Sequence, residues 1–305
     1  MKRILTFLCA VMISLAANAQ VLYKISGNGL QKDSYVIGTV HVMKGSFVDS
    51  IPGANRVLNE VEQVCGELDM RYITDKDTAL AITQLMMLPA DSAANKVLTE
   101  EEFDKLCRIV NENYNIDLKN PQFASLLQFY PLLMMTTIAQ LSEMMKLQQA
   151  MAEGKATEAP EPLMDAYFQQ KAQGMNKPVI GLESYTFQMK LLTSLFEMPI
   201  REQYLGMIES IEKKDEGEKV IKSIIDAYKT FNLDRISEAI QSADGFENMA
   251  NRVLDSRNED WAKKMPSIMS EKSTLFAVGA AHLIGEKGIL QLLKKQGYKV
   301  KAVKK

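Results

Sequence analysis

The chain has 305 residues, 47% of them hydrophobic and 24% charged, with a formal net charge of −2. That apolar content supplies a real core, and the near-neutral balance, with no basic stripe or arginine cluster, argues against a nucleic-acid-binding surface. The length suits one large domain, or a core carrying an insertion.

In chain order, Met1 to Ala19 predicts a secretory signal peptide. Lys2 and Arg3 give the charged start, Ile4 to Leu15 an apolar core too short to span a bilayer comfortably, and Ala17-Asn18-Ala19 the cleavage site. Cys9 follows Leu8 inside that core, a poor lipoprotein site, so the expectation is a soluble exported protein, periplasmic or extracellular, that starts at Gln20. Loss of Lys2 and Arg3 takes the net charge from −2 to −4. Val21 to Ser26 and Ser34 to Val42 predict an opening hairpin about Gly27-Asn28-Gly29. Ala54 to Glu62 predicts a short helix and Gln63 to Met70 a third strand.

From about Thr78 to Gly174 the pattern is helical and rich in methionine and leucine, with Thr99 to Glu102 as a capping-box start. Ala124 to Leu141 is nearly apolar, yet its Gln128, Pro131 and threonines mark it as buried helix rather than membrane span. Met151 to Pro162 is an exposed polar break. Pro178 to Glu183 predicts a fourth strand and Tyr185 to Met265 more helix, with the charge run Glu209 to Lys222 as a solvated face. Thr274 to His282 predicts a fifth strand, Glu286 to Gln296 a helix stopped by Gly297, and Tyr298 to Val303 a closing strand. The fold class is therefore α/β: a central mixed sheet from the two ends of the chain, with helical segments at about 78–175 and 185–265 set into a single domain over 20–305. Cys65 on a core strand and Cys107 on a helix are expected as buried free thiols.

The chain has two histidines, and they share one frame: Gly38-Thr39-Val40-His41 and Gly279-Ala280-Ala281-His282. Each closes a strand pattern and precedes a glycine-containing loop and a helix. A single histidine there is ordinary packing, whereas two in matching frames predict one site built from both ends of the chain. Helical crossovers favour parallel strands, whose ligands sit beyond the carboxyl ends. Glu67, Asp69 and Glu183 fall at equivalent ends, although each alone fits a loop or cap. Gly38 and Gly279 allow close backbone approach. Two imidazoles and a carboxylate would form an incomplete shell for a divalent ion (manganese, cobalt or zinc), leaving room for water, with a second carboxylate to take its proton. No HExxH, CxxC or GxSxG motif occurs.

GTVHV, CGELD, PVIGLES, DSRNEDWAKKM and FAVGAAHLIGEKGILQLLKKQGYKV, in that order, resemble the TraB/GumN family across essentially the whole mature chain. The resemblance implies a metal-dependent hydrolase with an erythromycin-esterase-like fold. It implies His41, His282 and Glu67 as metal ligands with Asp69 beside them, and roles for Arg257 and Asn258 in the R-N-x-x-W segment that Trp261 closes. It also matches Asp165. Arg257 would bind a carboxylate or stabilise an oxyanion, or else form an ion pair with Asp255 or Glu259. Phe187 stands where relatives carry a glutamate, which weakens a role for that helix start. Glu183 is the alternative general base. Three functions stay open: a metal-dependent peptidase, a non-catalytic protein that binds a peptide or small ligand, and a metal-dependent esterase.

Overall fold

The computed structural model describes residues 20–155, 161–194, 198–242 and 251–303. The proposed signal peptide lies outside them. The chain divides into two compact units, one of residues 20–70, 161–184, 220–242 and 251–303, the other of 71–155, 185–194 and 198–219.

The first unit holds the sheet. Its strands are β1 (Leu22–Ser26), β2 (Ser34–Thr39), β3 (Gln63–Gly66), β4 (Val179–Gly181), β5 (Thr274–Gly279) and β6 (Lys299–Ala302), in the order β4-β3-β5-β2-β1-β6. The hairpin β1–β2 and the pair β1–β6 are antiparallel, while β2, β5, β3 and β4 run parallel. A mixed sheet drawn largely from the two ends of the chain is thus observed, with β4 added from the middle. The parallel strands are short because they stop at glycines: Gly66, Gly181 and Gly279 end β3, β4 and β5. Residues 67–70 and 182–183 therefore leave the sheet, where strands to Met70 and Glu183 were expected.

Alternate residues of each central strand enter opposite cores, which explains runs that are buried on both sides. Tyr35, Ile37, Val64, Leu275 and Ala277 face one core, shared with Leu58, Phe168, Tyr228 and Ile236. Val36, Cys65, Phe276 and Val278 face the other, shared with Trp261, Met265, Leu290 and Leu293. The covering helices of the first core include α1 (Ala54–Glu60), and those of the second include the two C-terminal helices Ser256–Glu271 and Ile289–Lys295. Gly297, at φ +94°, ends the last helix as expected. The edge strand β6 presents Lys299 and Lys301 to solvent, charges that discourage pairing with another edge.

The second unit is helical. Lys76–Met86 and Ala94–Val97 lead to Glu100–Tyr114, whose Thr99 and Glu102 close a capping box and whose C-terminus turns at left-handed Asn115. The single buried helix expected over Ala124–Leu141 is instead two elements. A 3₁₀ segment ends at Gln128, and a 22-residue helix, Pro131–Ala152, starts anew with proline in its first turn. Proline has no N–H to continue a preceding helix and forces the residue before it to be extended, so the break falls there. Helices Tyr185–Ser194 and Ile200–Glu212 complete the unit, and Tyr204, fully buried, donates to the carbonyls of Leu127 and Phe129. Cys65 and Cys107 are both free and buried. Burial raises the Cys107 thiol to about 11, and burial and the charge of Asp69 raise that of Cys65 still further, so neither is a reactive thiolate.

Candidate active site

The parallel register sets Thr39 beside Gly279 and Gly66 beside both Ala277 and Gly181. The residues that follow these ends therefore meet: His41 after β2, Glu67 after β3, Glu183 after β4 and His282 after β5. Helix Ser256–Glu271 brings Arg257, Asn258 and Trp261 to them, and helix Met164–Gly174 brings Asp165.

Gly279 marks the centre. A Cβ built there would lie 3.3 Å from His41 Nε2, 3.3 Å from Glu67 Oε1 and 3.6 Å from His282 Cδ2. Gly279 has φ −52° and ψ 136°, a conformation open to any residue, so its lack of a side chain serves space and not backbone freedom. The glycine of the other frame does something else. A Cβ on Gly38 would press on Ala280 Cα and Leu283 Cδ1, each at 3.0 Å, so Gly38 lets the turn after β5 pack onto β2.

The two imidazoles are held alike and placed differently. His41 pairs through Nδ1 with Asp165 Oδ2 at 2.7 Å and is 64% exposed, while Asp165 is itself fixed by the Thr39 hydroxyl at 2.5 Å. The bond to Asp165 raises the His41 pKa to about 9 against the opposing effect of desolvation. His282 is buried, with Nδ1 2.7 Å from Asn258 Oδ1. Burial lowers its pKa to about 3, against the attraction of Glu67, and it is neutral at pH 7. Its Nδ1–H then donates to Asn258, and its Nε2 lone pair receives Arg257 Nη1 at 3.1 Å. The Trp261 ring packs against His282 at a tilt of 38°, 4.3 Å between centroids. The matching frames suggest two equivalent surface-facing ligands; the second is instead enclosed, because the turn after β5 folds under helix Ser256–Glu271.

Arg257 is 5% exposed and saturated with acceptors. Nη2 reaches Glu67 Oε2 and Glu183 Oε1, each at 2.6 Å, and Nε reaches Glu183 Oε2 at 3.1 Å. Its ion pair is thus with residues distant in sequence and not with Asp255 or Glu259, which pair with Lys287. Trp261 lies under the guanidinium at 4.6 Å and donates Nε1–H to Glu183 Oε2 at 3.1 Å. Glu67 accepts the Gly279 N–H on Oε1 at 2.8 Å. Burial alone would raise its pKa, but His282, Arg257, His41 and that N–H outweigh it and hold the carboxyl down near 2. Asp69 is buried past the end of β3, near enough to act on Cys65. Thr39 and Tyr228, whose hydroxyl donates to the Gly38 carbonyl at 2.5 Å, carry no signal in the sequence that marks them, although Thr39 lies inside the GTVH frame.

A sequence model of the TraB/PrgY/gumN family matches residues 21–302. The chain belongs to that family. It is 22% identical over 303 residues to a "Metalloprotease TIKI homolog" of Amphimedon queenslandica, covering 87% of this chain and 58% of that protein. It is 24% identical to "Metalloprotease TIKI1" of Danio rerio, covering 88% and 60%, and 24% identical to the Homo sapiens protein of the same name, covering 88% and 59%. The chain thus spans somewhat under two thirds of the length of these relatives. No solved structure gives a significant match, so the expected likeness to erythromycin esterases gains no support.

The family relationship raises the question of a metal. In kind the donors suit a divalent ion: two imidazoles, each oriented through Nδ1 by an oxygen acceptor, and a carboxylate, around a space kept by Gly279. As arranged they do not form a shell. Among the described residues no group of three His, Cys, Asp or Glu is placed to hold a metal ion. His282 Nε2 and Glu67 Oε2 are both engaged by Arg257.

Proposed function

We propose that this family member is an exported metal-dependent hydrolase acting on peptides or proteins, with His41, His282 and Glu67 as the ligand set. The observation that carries the reading is the convergence of His41 Nε2, Glu67 Oε1 and the His282 ring on the space above Gly279. The names of the TIKI relatives support the same class of chemistry.

A divalent ion bound by these donors would supply a water activated near neutral pH. The protein's own part follows from its hydrogen bonds. Asp165 holds the His41 proton on Nδ1, so the proton that leaves on ligation is the one on Nε2. Asn258 keeps His282 in the tautomer whose Nε2 faces Glu67, 3.7 Å from Oε1. Glu183, its side chain 2% exposed, is a base only once Arg257 gives up one of its oxygens; otherwise it orients the guanidinium. Export rests on residues 1–19, and the mature protein should begin at Gln20 by intact mass. No helix of the described residues is long and apolar enough to cross a membrane.

The test is metal analysis of the purified protein with a peptide-library cleavage assay. Cleavage should require added manganese, cobalt or zinc, stop with chelator and vanish in His41→Ala. Retention of peptides without turnover would favour a sequestering protein, and ester turnover without peptide cleavage an esterase; either result defeats the peptidase reading.

A further inference from the structure

We propose that Arg257 is an internal competitor for the metal: its guanidinium occupies the ligand nitrogen of His282 and holds the second oxygen of Glu67, and Glu183 is the anchor to which it retreats when His282 is released. The inference rests on the ligand set proposed above and adds a residue that governs its occupancy.

A guanidinium only donates, and a neutral imidazole has one in-plane lone pair, on the nitrogen that carries no hydrogen. With Nδ1–H of His282 given to Asn258, Nε2 is the single lone pair left, and Arg257 Nη1 uses it at 3.1 Å. A metal ion needs that lone pair, and it carries the same sign of charge as the guanidinium. Ligation by His282 therefore requires Nη1 to leave, whereas Glu67 Oε1, the oxygen that faces the space above Gly279, is held by the Gly279 N–H, with Arg257 on Oε2.

The arrangement provides for this departure. Glu183 accepts from Nε and Nη2 through both of its oxygens, a two-point pairing that survives loss of the other contacts. The Trp261 ring under the guanidinium and its Nε1–H on Glu183 hold the anchor in place. The charge balance agrees. Glu67 and Glu183 carry two negative charges and Arg257 one positive charge, so the pocket keeps one negative charge for an added cation.

Competition lowers apparent affinity by the fraction of molecules in which the ligands are free. Two conservative substitutions should shift that fraction in opposite directions. Arg257→Lys keeps the charge, but a lysine cannot span Glu183, Glu67 and His282 together. Glu183→Gln keeps the volume and removes the anchor, leaving the guanidinium on Glu67 and His282.

The experiment is calorimetric titration of Mn²⁺ into the full chain, wild type and each variant, with circular dichroism melts to establish folding and His41→Ala as the control for the site. We expect Arg257→Lys to bind about tenfold more tightly than wild type and Glu183→Gln about tenfold more weakly, factors that correspond to roughly 1.4 kcal/mol each. Loss of the Glu183 charge would by itself weaken cation binding, so the discriminating result is tighter binding by Arg257→Lys, which a merely structural arginine gives no reason to expect. Arg257→Lys binding no tighter than wild type, or Glu183→Gln binding no weaker, overturns the proposal, and either result does so alone if the other variant does not fold. If wild type and variants alike take up no Mn²⁺, the metal reading itself has failed and the competitor falls with it. That outcome is distinct from a wild type that binds and variants that do not diverge.

Discussion

Gly279→Ala separates space from stability at the candidate site. The backbone at φ −52° accepts alanine, so the substitution adds a methyl without straining the chain. Replacing glycine at a compatible position stabilises by about 0.4–1 kcal/mol through the unfolded state. Against this stand contacts of 3.3 Å to Glu67 Oε1 and His41 Nε2, a few tenths of an ångström too close. Overpacking costs about 1–3 kcal/mol when neighbours cannot move. Here His41 is 64% exposed and can yield, although Glu67 is pinned by Arg257 and the Gly279 N–H. The net change in stability should stay within about 1 kcal/mol of wild type. The methyl nevertheless sits among the three proposed ligands, so metal binding and peptide cleavage should fall by at least about tenfold, the equivalent of roughly 1.4 kcal/mol. Urea melts report the first quantity, and calorimetric titration with a fluorogenic peptide the second. A variant that keeps both wild-type stability and wild-type binding would refute the reasoning. Gly38→Ala offers the contrast: contacts of 3.0 Å to Ala280 Cα and Leu283 Cδ1 predict lost stability as its primary effect.

Acid should unfold the sheet-bearing unit through its buried site. His282 is held near pKa 3 and Glu67 near 2, both below their unfolded values, so the unfolded chain binds more protons and stability falls as pH drops from about 6.5 towards 3. His41 has the opposite sign: its stabilisation is complete below about 6.5 and lost as pH rises through 9, but exposure to solvent keeps it small. Each tenfold difference in proton affinity between the folded and unfolded chain is worth about 1.4 kcal/mol, so urea melts at pH 7 and pH 4 should differ by roughly a few kcal/mol. His282→Gln should flatten that limb, and an unchanged acid limb in the variant would disprove the assignment. Trp261→Phe keeps an aromatic ring under Arg257 but removes the Nε1–H bond to a buried carboxylate, so it should cost about 1.5–3 kcal/mol in a denaturant melt, and a loss under about 0.5 kcal/mol would show that bond to be dispensable.

Those buried contacts also explain what could be read from the chain and what could not. Strand patterns were legible because both faces of the central strands are apolar, and the two GxxH frames were legible because each follows such a strand. Strand lengths were not, since Gly66 and Gly181 end β3 and β4 four and two residues before the expected strands end. Likewise, the natural partners of Arg257 in the sequence are its neighbours Asp255 and Glu259. In a helix those side chains face outward to Lys287, while Arg257 and Trp261, four residues apart, share the inward face. The ion pair was therefore set by strand order, which carries Glu67 and Glu183 to adjacent carboxyl ends 116 positions apart in the chain.

The two frames show most clearly why residue type alone underdetermines a site. Each offers glycine, two intervening residues and histidine after a parallel strand. In one, glycine makes room for packing and the histidine stands in solvent, its charge set by Asp165. In the other, glycine makes room for the site itself, and the histidine is enclosed, neutral and bonded to a cation. The difference comes from what meets each histidine: helix Ser256–Glu271 covers His282 through Arg257, Asn258 and Trp261, whereas His41 is held by the carboxylate of Asp165. A pair of like histidines in sequence thus becomes one proton-rich and one proton-poor imidazole facing the same space. Binding of a cation there would have to remove the Nε2 proton from the first and the guanidinium from the second.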